Sequence, residues 1–236
     1  MAALARAGCY AGTPRVNARG PLYRRALRAA LAGAADRVHY LDFDRALHWA
    51  ATRPRELERL VRRLGRHEIV LVGRTPAAHR SHHRPLVATE TDVNRALARR
   101  LGVRRRIDFL VPSFALERAA CARLLRRSRA VGGAIYGELA ALLLGLGPAV
   151  AYVECAGLDW ETPDRDRPGV ARLGLPAWRA RWDTPREWRL RRALAAEIET
   201  GFTRTLARYP ATARLHHTSI PHPKSGAARP TTTTSG

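Results

Sequence analysis

Cysteine is scarce in this sequence, and its pattern excludes one class of protein. Three cysteines occur among 236 residues, at Cys9, Cys121 and Cys155, and no two of them form a Cys-x-x-Cys pair. An odd number of widely spaced cysteines argues against a disulfide framework and against a cysteine-ligated zinc site. We therefore expect a reducing compartment and predict a cytoplasmic location.

The sequence also lacks a long uninterrupted apolar run. Its most apolar stretch, residues 134–153, is broken by Glu138, Gly145, Gly147 and Pro148. Because a membrane span needs a longer unbroken run, this stretch predicts a buried helix that is followed by a strand. The first residues show no convincing signal-peptide pattern.

Acidic side chains are few relative to basic ones. The sequence has 20 aspartate and glutamate residues against 42 lysine and arginine residues, which gives a formal net charge of +22. Lys224 is the only lysine, so arginine carries nearly all of the positive charge. Such a charge favours nucleotides, phosphates, anionic membrane surfaces and nucleic acid as partners. Because no helix-turn-helix, zinc finger or aromatic RNA-binding motif is present, we do not expect nucleic acid to be the partner.

Apolar runs alternate with amphipathic stretches along the chain, and 46% of the residues are hydrophobic. The runs that predict β-strands lie at 38–43, 69–72, 107–111 and 150–153. Amphipathic helices are predicted between them, one of them over 114–125. This alternation favours an α/β fold with a mostly parallel sheet that is flanked by helices.

We expect one α/β domain over 21–209, preceded by an irregular segment over 1–20. A capping box at 184–187, with proline at the first helical position, predicts a last helix over 185–208. Residues 210–236 are rich in proline, threonine, glycine and serine. This composition predicts a disordered tail.

A short hydrophobic strand that ends in two acids is the first candidate site. In an extended backbone, residues i and i+2 point to the same side, so Asp42 and Asp44 would present their carboxylates together. Ligands of open α/β sheets bind beyond the carboxyl ends of the strands. Paired carboxylates there suit a divalent cation that also holds a phosphate. The alternative is that Asp44 caps the next helix and Asp42 is an ordinary loop acid.

The order of several motifs resembles the family 2 glycosyltransferases and their relatives with the GT-A, or nucleotide-diphospho-sugar transferase, fold. The similar motifs, in chain order, are Asp42-Phe43-Asp44, Ile69-Val70-Leu71-Val72-Gly73-Arg74, Asn94 and Gly132-Gly133 with Gly137-Glu138-Leu139. They cover about residues 20–155. Two features depart from the family pattern. Leu139 replaces the second acid of a Glu-Asp pair, and few residues precede residue 20, where the family has its first nucleotide-binding strands.

The resemblance implies a GT-A-like fold that lacks part of its N-terminal nucleotide-binding half. It also implies an enzyme that transfers a sugar from a nucleotide-activated donor to an unknown acceptor. Asp42 and Asp44 would hold Mn²⁺ or Mg²⁺ against the diphosphate of this donor, and Glu138 would be the catalytic base. The alternative for Glu138 is a structural acid near a helix N-terminus. For the whole chain, the alternatives are a truncated, inactive member and a basic nucleic-acid- or phosphate-binding protein without catalysis.

A predicted polar loop over 73–88 is dense in arginine and histidine. Because arginine pairs bidentately with phosphate, Arg74, Arg80 and Arg84 are candidates for binding the donor's phosphates. The alternative is a solvated, flexible loop. A second loop, rich in aspartate, proline and arginine, is expected over 156–176. Trp49 is either a stacking partner for a sugar or base, or a core residue.

Overall fold

The computed structural model describes residues 18–110 and 113–217. This part of the chain forms a five-stranded mixed sheet flanked by helices. The strands are β1 Arg37–Leu41, β2 Ile69–Arg74, β3 Ser113–Glu117, β4 Ala149–Cys155 and β5 Arg214–His217. The α-helices are α1 Arg19–Ala32, α2 Phe43–Thr52, α3 Pro54–Leu64, α4 Pro76–Arg80, α5 Arg84–Arg100, α6 Arg118–Arg127, α7 Ala134–Gly145, α8 Arg167–Leu173, α9 Leu175–Ala180 and α10 Pro185–Arg208.

The strands lie in the order β1-β3-β2-β4-β5. β3 runs antiparallel to both of its neighbours, β1 and β2, whereas β4 is parallel to β2 and to β5. β1, β2, β4 and β5 therefore point in one direction, and their carboxyl ends lie at the same edge of the sheet. The predicted α/β class is confirmed. The sheet is mixed rather than mostly parallel, because β3 lies between β1 and β2.

The strand predicted at 107–111 is wrong. Residues 107–110 form no regular secondary structure, and residue 111 lies outside the described residues. The backbone N–H groups of Asp108 and Phe109 donate to side chains, at 3.0 Å to the Tyr152 hydroxyl and at 2.9 Å to the Asn94 carbonyl oxygen. The strand is instead β3, where a helix was predicted. Short apolar runs do not distinguish a buried strand from a buried helix.

Both faces of the sheet are covered, as the side chains of β2 show. Ile69 and Leu71 belong to a large hydrophobic cluster that also contains residues of α1, α5, α6, α7 and α10. Val70 and Val72 enter a smaller cluster on the other face, with Trp49 of α2 and residues of α3. Because side chains alternate across a strand, a strand with helices on both faces reads as one uninterrupted apolar run.

The backbones of α7 and α10 touch at two glycines. A Cβ atom on Gly137 would lie 1.9 Å from the Ile198 carbonyl oxygen, and one on Gly201 would lie 2.1 Å from the Ala134 carbonyl oxygen. α7 is buried along most of its length, as the sequence predicted. None of the helices in the described part of the chain is long and apolar enough to cross a membrane.

The segment that follows α10 belongs to the sheet, so the domain does not end at residue 209 as predicted. Leu215 of β5 lies opposite Val150 of β4, and Arg214 donates its N–H to the Pro148 carbonyl oxygen at 2.9 Å. Hydrophobic periodicity missed β5, because Leu215 is the only aliphatic residue in its sequence Arg-Leu-His-His. The rest of the predicted tail, 218–236, and residues 1–17 lie outside the described residues.

We predict that Gly137→Ala destabilises the protein by about 1–3 kcal/mol or more, because the added methyl group meets backbone atoms of α10. Gly65→Ala is the matched control. No atom lies within 4 Å of its added Cβ, and Gly65 has right-handed helical angles, so alanine should be neutral or stabilising by up to about 1 kcal/mol. Urea unfolding measures both changes. Equal effects of the two substitutions would contradict the close packing of α7 and α10.

Candidate functional site

A cavity of about 300 Å³ lies at the edge of the sheet where β1, β2 and β4 end. Asp42 follows β1, His82 and His83 follow β2, and Trp160 and Glu161 follow β4, and all of them line this cavity. The side chains that complete the wall are Arg19, Arg45, Leu86, Glu90, Leu110, Tyr136, Thr162, Arg165, Trp182, Arg191, Leu194 and Ile198. We call it the edge cavity. It lies at the position where α/β sheets bind ligands.

Asp42 and Asp44 do not extend from one strand, so the geometry predicted for them is wrong. β1 ends at Leu41, and α2 begins at Phe43 with Asp42 as its N-cap residue. Asp42 lines the edge cavity and accepts a hydrogen bond from the Tyr40 hydroxyl at 3.2 Å. Asp44 is not among the lining residues. It lies in the first turn of α2, where the helix dipole favours an acid.

The two aspartates do not fit the divalent cation that the resemblance implies. One Asp44 carboxylate oxygen accepts the N–H of Arg45 at 2.9 Å, and the other pairs with Arg165. A backbone N–H and one guanidinium therefore already occupy the two carboxylate oxygens of Asp44. Within residues 18–110 and 113–217, no group of three or more His, Cys, Asp and Glu side chains could hold a metal ion.

Asp42 is poorly solvated in the edge cavity. Burial raises its pKa to about 6; the charge of Arg45 opposes this rise and the charge of Asp44 adds to it. An acid with a pKa near neutrality can exchange a proton at physiological pH, as acid–base catalysts do. The sequence identified Asp42 as a site residue, and the structure gives it this different chemical character.

Glu138 is not near Asp42, although the sequence predicted it as the catalytic base. Both of its carboxylate oxygens accept backbone N–H groups, those of Arg129 and Ala130, in the turn before α7. Its side chain is buried and borders a different cavity with no lining residue in common. Tyr136 lines the edge cavity instead. Residue 138 is rotated by about 200° from residue 136 around a helix of about 3.6 residues per turn, so it faces away.

The predicted polar loop over 73–88 is largely helical and buried. His79, His82 and His83 are at most 6% exposed, and they belong to α4 and to the turn between α4 and α5. The loop assignment failed because histidine and arginine were taken as markers of solvent exposure. In this segment the three histidines and Arg74 pack inside the protein.

The three arginines predicted to bind phosphate do not converge on one site. Arg74 is 1% exposed and belongs to the interior. Arg80 and Arg84 are exposed and border a separate depression that shares only His82 with the edge cavity. Arg84 is also paired with Asp183 at 3.3 Å. Four other arginines, which the sequence did not single out, line the edge cavity: Arg19, Arg45, Arg165 and Arg191.

Arg74 forms a bidentate ion pair with Asp108 inside the protein. Its Nε and Nη2 atoms lie 2.7 and 3.1 Å from the two Asp108 carboxylate oxygens. Glu90 accepts a second bond from Nη2 at 2.5 Å, and the Asn94 amide donates to Asp108 at 3.0 Å. Burial alone would raise the pKa of Asp108, but the charge of Arg74 outweighs burial and lowers it. Asp108 therefore stays ionised and binds the end of β2 to residues 107–110.

The segment after β4 is held in place by α2 and α3. The Glu56 carboxylate accepts the N–H groups of Ala156 at 3.0 Å and Gly157 at 2.7 Å, and it also accepts the indole N–H of Trp49 at 3.0 Å. Trp49 is fully buried, which decides between its two predicted roles in favour of the core. These bonds fix the start of the segment that carries Trp160 and Glu161.

His48 anchors the same segment further along. Its ring nitrogens lie 2.9 Å from Asp159 and 2.6 Å from Asp164. Burial lowers the pKa of His48, but the hydrogen bonds to Asp164 and Asp159 outweigh it, so the pKa is raised overall. The segment expected to be a loop is therefore folded against α2, with two 3₁₀ turns followed by α8 and α9.

Sequence reasoning missed most of the edge-cavity wall. One signal was available, since Trp160, Trp178 and Trp182 occur close together in the sequence, and Trp160 lies within the loop that was predicted over 156–176. Their rings cluster at centroid distances of 5.3 to 6.2 Å. Tryptophans of this density are typical of a packed segment rather than of a solvated one.

Comparisons with protein-family models, with curated proteins and with solved structures found no match to this chain. The function is therefore inferred from the site itself.

Replacing Arg74 tests the importance of its ion pair. We predict that Arg74→Ala costs about 3–5 kcal/mol, because it leaves the charge of Asp108 buried without its partner. Arg84→Ala is the control, since Arg84 pairs with Asp183 at the surface and such pairs contribute at most about 1 kcal/mol. Chemical denaturation of both variants decides this. A small loss for Arg74→Ala would show that the hydrogen bonds of Asn94 and Tyr152 hold residues 107–110 without it.

The raised pKa of Asp42 predicts that Asp42→Asn increases folding stability, and that the size of this increase depends on pH. Between about pH 4 and the folded-state pKa of about 6, the folded protein retains a proton at Asp42 that the unfolded chain has lost, so stability falls as pH rises through this window. The asparagine variant lacks this loss. It should be more stable than the unsubstituted protein by roughly 1–3 kcal/mol at neutral pH and about equally stable near pH 4. Urea unfolding at both pH values measures the difference, and a neutral-pH gain that persists near pH 4 would contradict it.

Proposed function

We propose that this protein is a transferase that acts on a nucleotide-activated sugar, and that the edge cavity binds this donor. The observation that carries the proposal is the convergence in one cavity of residues that follow β1, β2 and β4. The order of sequence motifs described above supports the same reaction class. A cavity of about 300 Å³ is at the small end of the usual range for ligand sites.

Arginine, rather than a divalent cation, supplies the positive charge in this proposal. Arg19 and Arg165 lie in the wall of the edge cavity and are exposed. Guanidinium groups bind phosphate oxygens through two parallel N–H bonds. The pairing of Arg165 with Asp44 also argues against a metal there, because an arginine already neutralises this acid.

Asp42 replaces Glu138 as our candidate for the base that deprotonates the acceptor hydroxyl. Asp42 lines the edge cavity, and its pKa of about 6 is close to the value that a general base needs at neutral pH. In its ionised form it can accept the hydroxyl proton while the acceptor oxygen forms a bond to the sugar carbon. The bond between this carbon and the diphosphate oxygen breaks, and the diphosphate leaves with its electron pair.

Calorimetric titration with uridine and guanosine diphosphates tests the proposal. We expect one of them to bind with similar affinity in Mn²⁺ and in a chelator, because the protein's arginines hold the diphosphate. The double variant Arg19→Ala, Arg165→Ala should weaken binding about tenfold or more, as expected for lost charge-assisted bonds. The charge-matched control is Arg80→Ala with Arg84→Ala, which should change the affinity by less than about twofold.

Three outcomes would overturn this proposal in different ways. Strict dependence of nucleotide binding on Mn²⁺ would favour the metal site that was predicted from Asp42 and Asp44. Equal losses in the two double variants would mean that overall charge, not the edge cavity, binds the nucleotide. Tight, salt-sensitive binding of single-stranded oligonucleotides without nucleotide binding would favour the nucleic-acid alternative, since phosphate contacts weaken steeply with salt.

A further inference from the structure

Unpaired buried polar atoms are concentrated at the edge cavity. Four of its wall residues each have a buried side-chain atom without a hydrogen-bond partner: Arg45 Nη1, His82 Nε2, His83 Nδ1 and Glu161 Oε2. His82 and His83 are each only 2% exposed. Arg45 Nη1 and Glu161 Oε2 lie 3.7 Å apart, too far for a hydrogen bond to satisfy either atom. Because buried polar groups are almost always hydrogen-bonded, this concentration indicates a polar ligand.

The neighbours of the two histidines determine which ring nitrogens donate. His82 Nδ1 lies 3.1 Å from the Ala78 carbonyl oxygen, so Nδ1 carries the hydrogen and Nε2 is an acceptor. His83 Nε2 lies 3.3 Å from Arg191 Nη2. A guanidinium can only donate, so His83 Nε2 accepts and Nδ1 carries the hydrogen. Glu187 is also near this nitrogen, but its 3.6 Å distance is too long for a hydrogen bond.

Both histidines are neutral at physiological pH, which agrees with one hydrogen on each ring. Burial, with the charge of Arg74 as the next cause, lowers the pKa of His82 to about 2. Burial, with the charge of Arg191 as the next cause, lowers the pKa of His83 to about 4. The wall therefore offers two donors, on Arg45 and His83, and two acceptors, on His82 and Glu161.

This combination of donors and acceptors argues against a phosphate and against an ammonium ligand. A phosphate group at neutral pH mainly accepts hydrogen bonds, so it would leave His82 and Glu161 unpaired. An ammonium group only donates, so it would leave Arg45 and His83 unpaired. A hydroxyl group both donates and accepts, so a ring that carries several hydroxyls can satisfy all four atoms.

Indole rings complete the same wall. Trp160 and Trp182 line the edge cavity, and both pack on the His83 ring at centroid distances of 5.5 Å. Trp178 supports Trp160 from behind at 5.3 Å. Flat aromatic surfaces suit the C–H face of a sugar ring, because that face is apolar while its hydroxyls point outward.

We propose that Arg45, His82, His83 and Glu161 form the hydroxyl-binding subsite for the sugar ring, with Trp160 and Trp182 as its apolar wall. The assignment of this ring to a nucleotide-activated donor rests on the proposed function. The recognition of a neutral hydroxylated ring does not, because it is inferred from the four atoms without hydrogen-bond partners and from the indole rings beside them.

The first test compares each nucleoside diphosphate with its sugar-bearing form. The probes are uridine diphosphate with UDP-glucose and UDP-N-acetylglucosamine, and guanosine diphosphate with GDP-mannose. Glu161→Gln and His83→Leu should each reduce the affinity gained from the sugar by about tenfold, while affinity for the diphosphate alone changes by less than about twofold. His83→Asn should retain much of the gain, because its amide N–H can replace the Nδ1 donor. Glu58→Gln, at an exposed residue of α3, is the matched control and should change neither value.

Two results separate the failure of this inference from the failure of the proposed function. One result is that a nucleoside diphosphate binds, but its sugar-bearing form gains no affinity that depends on His83 and Glu161. This result overturns the proposed subsite and leaves the proposed nucleotide site intact. If no nucleotide binds, saturation-transfer NMR with free glucose, mannose and N-acetylglucosamine decides. Saturation transfer from the protein to a sugar that is lost in His83→Leu and kept in Glu58→Gln supports the subsite. Absence of saturation transfer in the unsubstituted protein overturns it. Near-ultraviolet circular dichroism checks that every variant keeps its tryptophan packing.

Discussion

The buried ion pair between Arg74 and Asp108 is the interaction on which the rest of this structure depends. It closes the end of β2 against residues 107–110, and Glu90 and Asn94 extend it into α5. Two charges in the interior are tolerated only when each is fully paired and hydrogen-bonded, so these groups have little freedom to shift. The pair thereby fixes how β2 and α5 meet, and the turn between them carries His82 and His83.

The edge cavity combines features that a stable core would avoid. Asp42 is an acid whose ionisation is disfavoured by burial, and four other wall residues each have a buried polar atom without a hydrogen-bond partner. Such groups reduce folding stability, so their concentration at the carboxyl edge of the sheet is better explained by ligand binding than by packing. Rigid supports surround them: the Glu56 bonds to the segment after β4 and the Arg74 network after β2. The wall is therefore preorganised, which limits the ordering cost of binding a ligand.

Part of this arrangement could be predicted from the sequence. The apolar run of β2, the buried helix α7 and the capping box of α10 each have a local signal, and each element is present where it was predicted. Asp42 was proposed as a site residue because it lies near the carboxyl end of a predicted strand. The strand predicted over 107–111 failed because Asp108 pairs with Arg74, which is distant in sequence. That Glu138 borders a different cavity from Asp42 could not be predicted, because no local pattern shows which face of α7 meets the edge cavity.

The sequence by itself determined the α/β class and the position of Asp42 near the end of a strand, because hydrophobic periodicity is a local property. Only the tertiary structure decided which arginines and histidines are buried. Three arginines of one short segment differ in this respect. Arg74 lies in the interior, whereas Arg80 and Arg84 are on the surface. The composition of the edge cavity was likewise decided by folding, since His83, Glu161 and Arg191 come from three distant segments. A charged side chain is stable in the interior only where a side chain of opposite charge or a hydrogen-bonding group lies beside it. The fold of the whole chain brings that partner into place.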